Sequence, residues 1–158
     1  MYEGEIDREV QDIVHDFLQC RTMLTMPDLT VTQTPQKSLV DYCWYRGREL
    51  VYVAELKRRN CKHDHWPDYM ISVTKVDAIM RYAPLGWILV LYTDGLYRIP
   101  IRRGMKVTHR FGGRTTQARD EWDAKGEICA IFAQHEMQPF DGWNQDWDWA
   151  VKNAVGQR

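Results

Sequence analysis

Asp41, Glu55 and Lys57 are the side chains of this sequence whose types and spacing could do chemistry. Glu55 and Lys57 stand two positions apart in a run rich in Val, Leu and Tyr, so on a strand they leave the same face. Segments 38–45 and 49–58 flank Arg46-Gly47-Arg48 and read as a tight antiparallel hairpin. A turn centred near Gly47 brings Asp41 to within about a residue of Glu55 across the ladder. Two carboxylates and an ammonium then meet on mostly apolar strands. That arrangement is expensive unless a cation or another partner compensates the like charges. Oxygen donors open to water suit Mg²⁺ or Mn²⁺, ions that take one or two protein carboxylates alongside phosphate oxygens. The lysine could orient or deprotonate a water for in-line attack, with the metal stabilising the charge that develops. Taken alone, Glu-x-Lys is common, and the plainer reading is a surface Glu–Lys pair with an unrelated aspartate.

The elements that must position these groups follow from periodicity. Ile6, Val10, Ile13, Val14, Phe17 and Leu18 recur at helical spacing and predict an amphipathic helix over 5–23. The β-branched run 29–34 predicts a strand ended by Pro35, and the hairpin follows, its second arm central because it is apolar on both faces. After a polar connection over 60–67, Met70, Ile71, Val73, Val76, Ile79 and Met80 predict a helix running to about Tyr82. Strands over 87–92 and 96–101 are joined by Asp94-Gly95, a strong hairpin signal, and 128–133 could add another strand. The expected fold class is α/β (α+β): a single domain with a mixed central sheet flanked by helices. Its core covers about 5–101, with a basic loop and a C-terminal extension over 102–158.

Composition sets the bounds. A chain of 158 residues, 44% apolar and 27% charged, suits one globular domain. Its longest apolar run, 87–92, is far short of the roughly 20 residues that cross a bilayer. The acidic N-terminus does not read as a secretory signal, and Cys20, Cys43, Cys61 and Cys129 form no CxxC pair. The expectation is a soluble, intracellular (cytoplasmic) protein with free thiols and no membrane association. Charge is segregated: residues 95–119 hold seven Lys or Arg and no carboxylate, whereas 120–149 hold eight carboxylates against Lys125. The basic strip reads either as a polyanion-binding surface or as a solvated loop.

The order of elements, with Val40-Asp41-Tyr42 on the second strand and Ala54-Glu55-Leu56-Lys57 on the third, resembles the PD-(D/E)xK nuclease superfamily and its restriction-endonuclease-like core. The resemblance covers roughly 5–101, and Val40 stands where the family name has proline. It implies that Asp41 and Glu55 are metal ligands, that the Leu56 carbonyl adds a third, and that Lys57 is the catalytic lysine. A first-helix glutamate near the metal would be Glu9, with Glu5 as the alternative. The implied activity is that of a metal-dependent DNA endonuclease or resolvase-like phosphodiesterase using Mg²⁺ or Mn²⁺. The other reading is a nuclease-fold protein that binds nucleic acid or a protein partner without cutting. DNA contacts are expected from Arg58, Arg59, Lys75, Arg102, Arg103, Arg110 and Arg114, and cutting two strands would be simplest for a homodimer.

Two further groups carry alternatives. Cys61, His63 and His65 have zinc-like ligand types but lack an evident fourth partner, and read more simply as a loop beside the site. Trp143, Trp147 and Trp149 could stack bases, but their neighbours Asp141, Asp146 and Asp148 favour a small core or a partner surface.

Overall fold

The apolar stripe of the N-terminal segment forms a helix, α1 (Glu5–Thr25), that buries Val10, Val14, Phe17 and Leu18. The computed structural model describes residues 5–112 and 127–156, with side chains from residue 8 in α1. Strands β1 (Thr30–Gln33), β2 (Tyr42–Arg46) and β3 (Glu49–Arg58) follow as an antiparallel meander. Gly47 closes the β2–β3 hairpin at φ 59°, a left-handed conformation that glycine adopts without steric cost. Next come β4 (Asp68–Ser72), α2 (Val73–Tyr82), β5 (Leu85–Tyr92) and β6 (Gly95–Arg102). The chain continues through β7 (Thr108–Gly112), β8 (Glu127–Ala133), a 3₁₀ turn, β9 (Gln138–Pro139) and the C-terminal helix α3 (Gln145–Gly156).

The main sheet has six strands in the order β1-β2-β3-β5-β6-β9, with β3 and β5 parallel. A parallel pair needs a crossover, and the β4–α2 unit supplies it. One face packs Tyr42, Trp44, Ala54, Leu89 and Leu91 against α1. The buried aromatics there keep their polar tips satisfied: Tyr42 O–H donates to the Gln11 carbonyl at 2.7 Å and Trp44 Nε1–H to Thr22 Oγ1 at 2.9 Å. The other face packs Val53, Ile88, Val90, Ile99 and Ile101 against Val76 and Ile79 of α2. Gly86 permits that helix to sit close, because a Cβ there would lie 2.4 Å from the Val53 carbonyl oxygen and 2.6 Å from Ile79 Cγ2.

The expected mixed α/β class holds, and a second sheet of three strands, β4-β8-β7, is added to it. Residues 70–72, expected in a helix, are therefore strand. Tyr69 and Ile71 are buried in alternation with half-buried Asp68, Met70 and Ser72, which is the pattern of one face turned to a core. The second arm of the hairpin matches its expected span of 49–58. The first begins only at Tyr42, because residues before it turn through Pro35 and Lys37, the latter at φ 67°. Part of the expected basic loop is β7, and α3 carries Trp143 and Trp147 onto Phe17 edge-to-face at 5.1 and 5.5 Å. Those tryptophans close the α1-side core, as the acidic neighbours suggested; Trp149 on the same helix is exposed. All four cysteines are free thiols. Among the described residues no helix is long and apolar enough to cross a membrane.

Candidate active site

Glu55 belongs to the α2-facing side of β3, in phase with the core residue Val53. Its side chain is only 5% exposed, and its Oε1 lies 3.1 Å from Lys75 Nζ and 3.7 Å from Lys57 Nζ. Lys57 is there because it follows Glu55 by one strand repeat. Lys75 is there because α2 begins where β4 ends and crosses directly over β3. Oε2 of Glu55 is buried and has no hydrogen-bond partner among the described residues. Leaving such an oxygen dry and unmatched costs about 1–3 kcal/mol, more when it is charged.

Asp41 sits one position before the Tyr42–Ala54 pair of the β2–β3 ladder, so it adjoins Glu55 as the hairpin register required. Its main chain is pinned on both sides: its N–H donates to the Ala54 carbonyl and its carbonyl accepts from the Thr34 N–H, each at 2.9 Å. Its Oδ2 accepts the Leu56 N–H at 2.7 Å, which ties the carboxylate to the strand segment between Glu55 and Lys57. Asp41, Glu55, Leu56, Lys57 and Lys75 thus converge at one spot. Tyr69 flanks it from β4; burial pushes its phenol far above the usual range, against the opposing pull of Arg59.

The remaining expected residues are distributed less evenly. Glu9 is half-buried on α1, which covers the opposite face of the sheet from Glu55. The first turns of that helix do reach the strand ends beside Asp41, where Arg8 Nη1 donates to the Thr34 carbonyl at 3.2 Å. The Glu5 side chain lies outside the described residues. Arg58 is exposed at the end of β3. Arg59 is engaged within the protein: its guanidinium covers the Tyr69 ring at 4.9 Å and donates to the Tyr69 hydroxyl at 3.2 Å. Arg102 and Arg103 lie level with Leu85 and Tyr52, at the end of the strands away from Lys57. Arg103 Nε–H donates to the Met80 carbonyl at 2.8 Å, satisfying the C-terminal end of α2. Arg110 pairs with Asp68 at 3.1 Å on the second sheet, and Arg114 lies outside the described residues.

The reading of the 60–67 connection missed a polar network that no local spacing announces. His63 Nδ1 lies 2.6 Å from Asp94 Oδ2 and 2.9 Å from the Tyr97 hydroxyl, and the His63 backbone N–H donates to Asp94 Oδ1 at 2.9 Å. His63, Asp64 and Asp94 bring potential ligand atoms within 4.8 Å of one another. Cys61 and His65 are not in that group; Cys61 packs against the α2-side core and His65 meets Trp66 edge-to-face. Partial burial works against ionisation of Asp94, but the His63 hydrogen bonds prevail and hold its carboxyl below the usual value. A carboxyl depressed in the folded state stabilises the fold above its unfolded value of 3.8 and loses that contribution as pH falls through its folded one. Asp94→Ala is therefore expected to lower stability by about 1–2 kcal/mol near neutrality and to flatten the loss on acidification. Urea titrations between about pH 3 and 7 check both effects.

The site has the composition and placement that the PD-(D/E)xK resemblance requires: an Asp at the entry to the second strand and Glu-x-Lys on the third, with a helix crossing above. Comparisons with curated proteins and with solved structures returned no match. The model of a family described as "Phage putative PDDEXK endonuclease" matches residues 1–134, a span that contains all of these groups. The chain belongs to that family and, with it, to the PD-(D/E)xK superfamily.

Proposed function

We propose that the protein hydrolyses DNA phosphodiesters with a hard divalent cation, Mg²⁺ or Mn²⁺, held by Asp41 and Glu55. The observation that carries this reading is the buried Glu55 Oε2, a carboxylate oxygen with no partner among the described residues, beside a second carboxylate. Both are oxygen donors, the ligand type these ions prefer. The Leu56 carbonyl leaves the strand on the same side as the N–H that Asp41 accepts, and is the candidate third ligand. When bound, the cation would supply Lewis-acid stabilisation of phosphoryl charge and a more acidic water.

The chain's own groups do the rest. Lys57, partly exposed and 3.7 Å from Glu55, is the group that orients the attacking water and stabilises negative charge on the phosphate. Lys75 holds Glu55 Oε1 and so fixes the carboxylate with its second oxygen unshared. Arg58, exposed at the end of the same strand, is the nearest candidate for backbone phosphates in sequence. Glu9 can join the carboxylates only around the strand ends, from the α1 side.

The test is a divalent-metal titration of chelator-treated protein on labelled duplex, branched and single-stranded DNA. Cleavage is expected to appear with Mg²⁺ or Mn²⁺, to vanish in excess EDTA, and to be accompanied by a metal-dependent rise in Tm. Turnover that persists in excess chelator sinks the metal mechanism. Binding without any cutting favours the silent nuclease-fold reading.

A further inference from the structure

Among the described residues, the second sheet carries an apolar surface that packs against nothing. Ser72, the last residue of β4, pairs with Cys129, whereas Ile128 and Glu127 of β8 pair, among the described residues, with β7 alone. Beyond Ser72 the β7–β8 pair therefore continues as a two-stranded ribbon, and β7 is exposed at every residue from Thr108 to Phe111. Side chains alternate across a sheet, so the residues in phase with buried Tyr69, Ile71, Ala130 and Phe132 share the face turned toward the core. Following that face along the ribbon, His109 lies opposite Ala130 and Phe111 opposite Ile128. Phe111 is 67% exposed and Ile128 54%. The row that begins in the core thus ends, among the described residues, as an exposed cross-strand apolar pair.

Its position gives the pair meaning. β4 runs straight into α2, and the third residue of that helix is Lys75, the partner of Glu55. The ribbon overhangs at this same end of β4, with its inner face turned to the helix side. Charge at the ribbon favours a polyanion. No carboxylate occurs over 95–112, Lys106 and His109 are exposed, and Glu127 is paired with Gly112 on the outer face. Arg110 is held by Asp68, so Lys106 and the basic 95–112 segment supply the positive field, and an exposed aromatic beside such a field is a surface on which an unstacked base rests.

We infer that the Phe111–Ile128 pair is a base-contacting wedge, which packs against a nucleobase near the scissile phosphate after that base leaves its stack. The assignment rests on the nuclease reading above and deepens it: the substrate is DNA that is unpaired, or becomes unstacked, next to the cut. A protein partner would meet the same apolar pair, but the absence of carboxylates on β7 and the link through Ser72 of β4 to the helix that carries Lys75 favour the nucleic acid.

The experiment uses duplex and forked DNA carrying 2-aminopurine at successive positions, with Ca²⁺ in place of Mg²⁺ so that binding is read without turnover. The wild-type chain is expected to raise the fluorescence of one position on binding. Phe111→Ala should abolish that rise and weaken binding by about tenfold, with the salt dependence unchanged because no phosphate contact is lost. Phe111→Trp should restore both. Phe111 is largely exposed, so its truncation opens no core cavity, and circular dichroism with Tm verifies this. A Phe111→Ala variant that binds and unstacks like the wild type overturns the wedge alone. So does one that loses self-association in sedimentation velocity while its DNA binding is intact, because the pair is then a contact between copies. Wild-type protein that binds no DNA in any form overturns the nuclease reading and the wedge together.

Discussion

Glu55→Gln is expected to leave the chain folded and to lower DNA cleavage by about 10²–10³-fold or more. The substitution keeps the volume of a side chain that is only 5% exposed, so packing is preserved, and it removes the charge that Lys57, Lys75 and a divalent ion would share. Metal-free stability should change little. The two lysines are each about one-third exposed and can turn to water, and the orphaned oxygen position no longer carries charge. The metal-dependent rise in Tm should disappear with the activity. Asp41→Asn is expected to follow the same course, because its oxygen can still accept the Leu56 N–H while its charge is gone. Single-turnover cleavage of labelled DNA, with thermal melts with and without Mg²⁺, measures both. A Glu55→Gln enzyme that retains more than a tenth of wild-type turnover would exclude this carboxylate from the metal.

The two lysines should separate in kind as well as in size. Lys57→Ala is expected to cut the rate by about 10²–10⁴-fold, the range for removing a group that moves or steadies a proton, with the metal concentration needed for half-maximal rate nearly unchanged. Lys75→Ala frees Glu55 Oε1 from its closest cation, at 3.1 Å, so its primary effect is on how the carboxylate is held. Its expected cost is about 10–100-fold, expressed mainly as a shifted metal dependence, and Lys75→Arg should recover part of it. Metal titrations of the cleavage rate for the three variants distinguish the roles. Equal losses with identical metal curves would mean that the two ammoniums act as one.

Short-range pairing was legible in the sequence and long-range pairing was not. The β2–β3 hairpin has its turn, its apolar arms and its charged pair within residues 41–58, so local geometry alone put Asp41 beside Glu55. The β4 strand escaped notice because Tyr69 and Ile71 alternate directly ahead of Val73, Val76 and Ile79. The two periods join without a break, and the strand's partner, β8, is distant in the chain. Lys75 was legible as a cation on a helix near the strands, but its pairing with Glu55 depends on how closely α2 crosses β3. The His63–Asp94 contact joins two loops that turn chemistry describes separately. Arg59 and Arg103 read as solvated or DNA-facing charges, whereas one grips a buried tyrosine and the other a helix end.

Gly86 stands opposite Val53, one strand repeat, or about 7 Å, short of the level of Glu55. A hydrogen atom in place of a methyl group sets the gap between helix and sheet there, and with it the reach of Lys75. The electrostatic balance of the centre is therefore written partly at a position that carries no charge, touches no substrate and has no side chain. Any larger residue at 86 would act on the chemistry indirectly, pressing on the Val53 carbonyl of the strand that carries Glu55 and on Ile79 of the helix that carries Lys75.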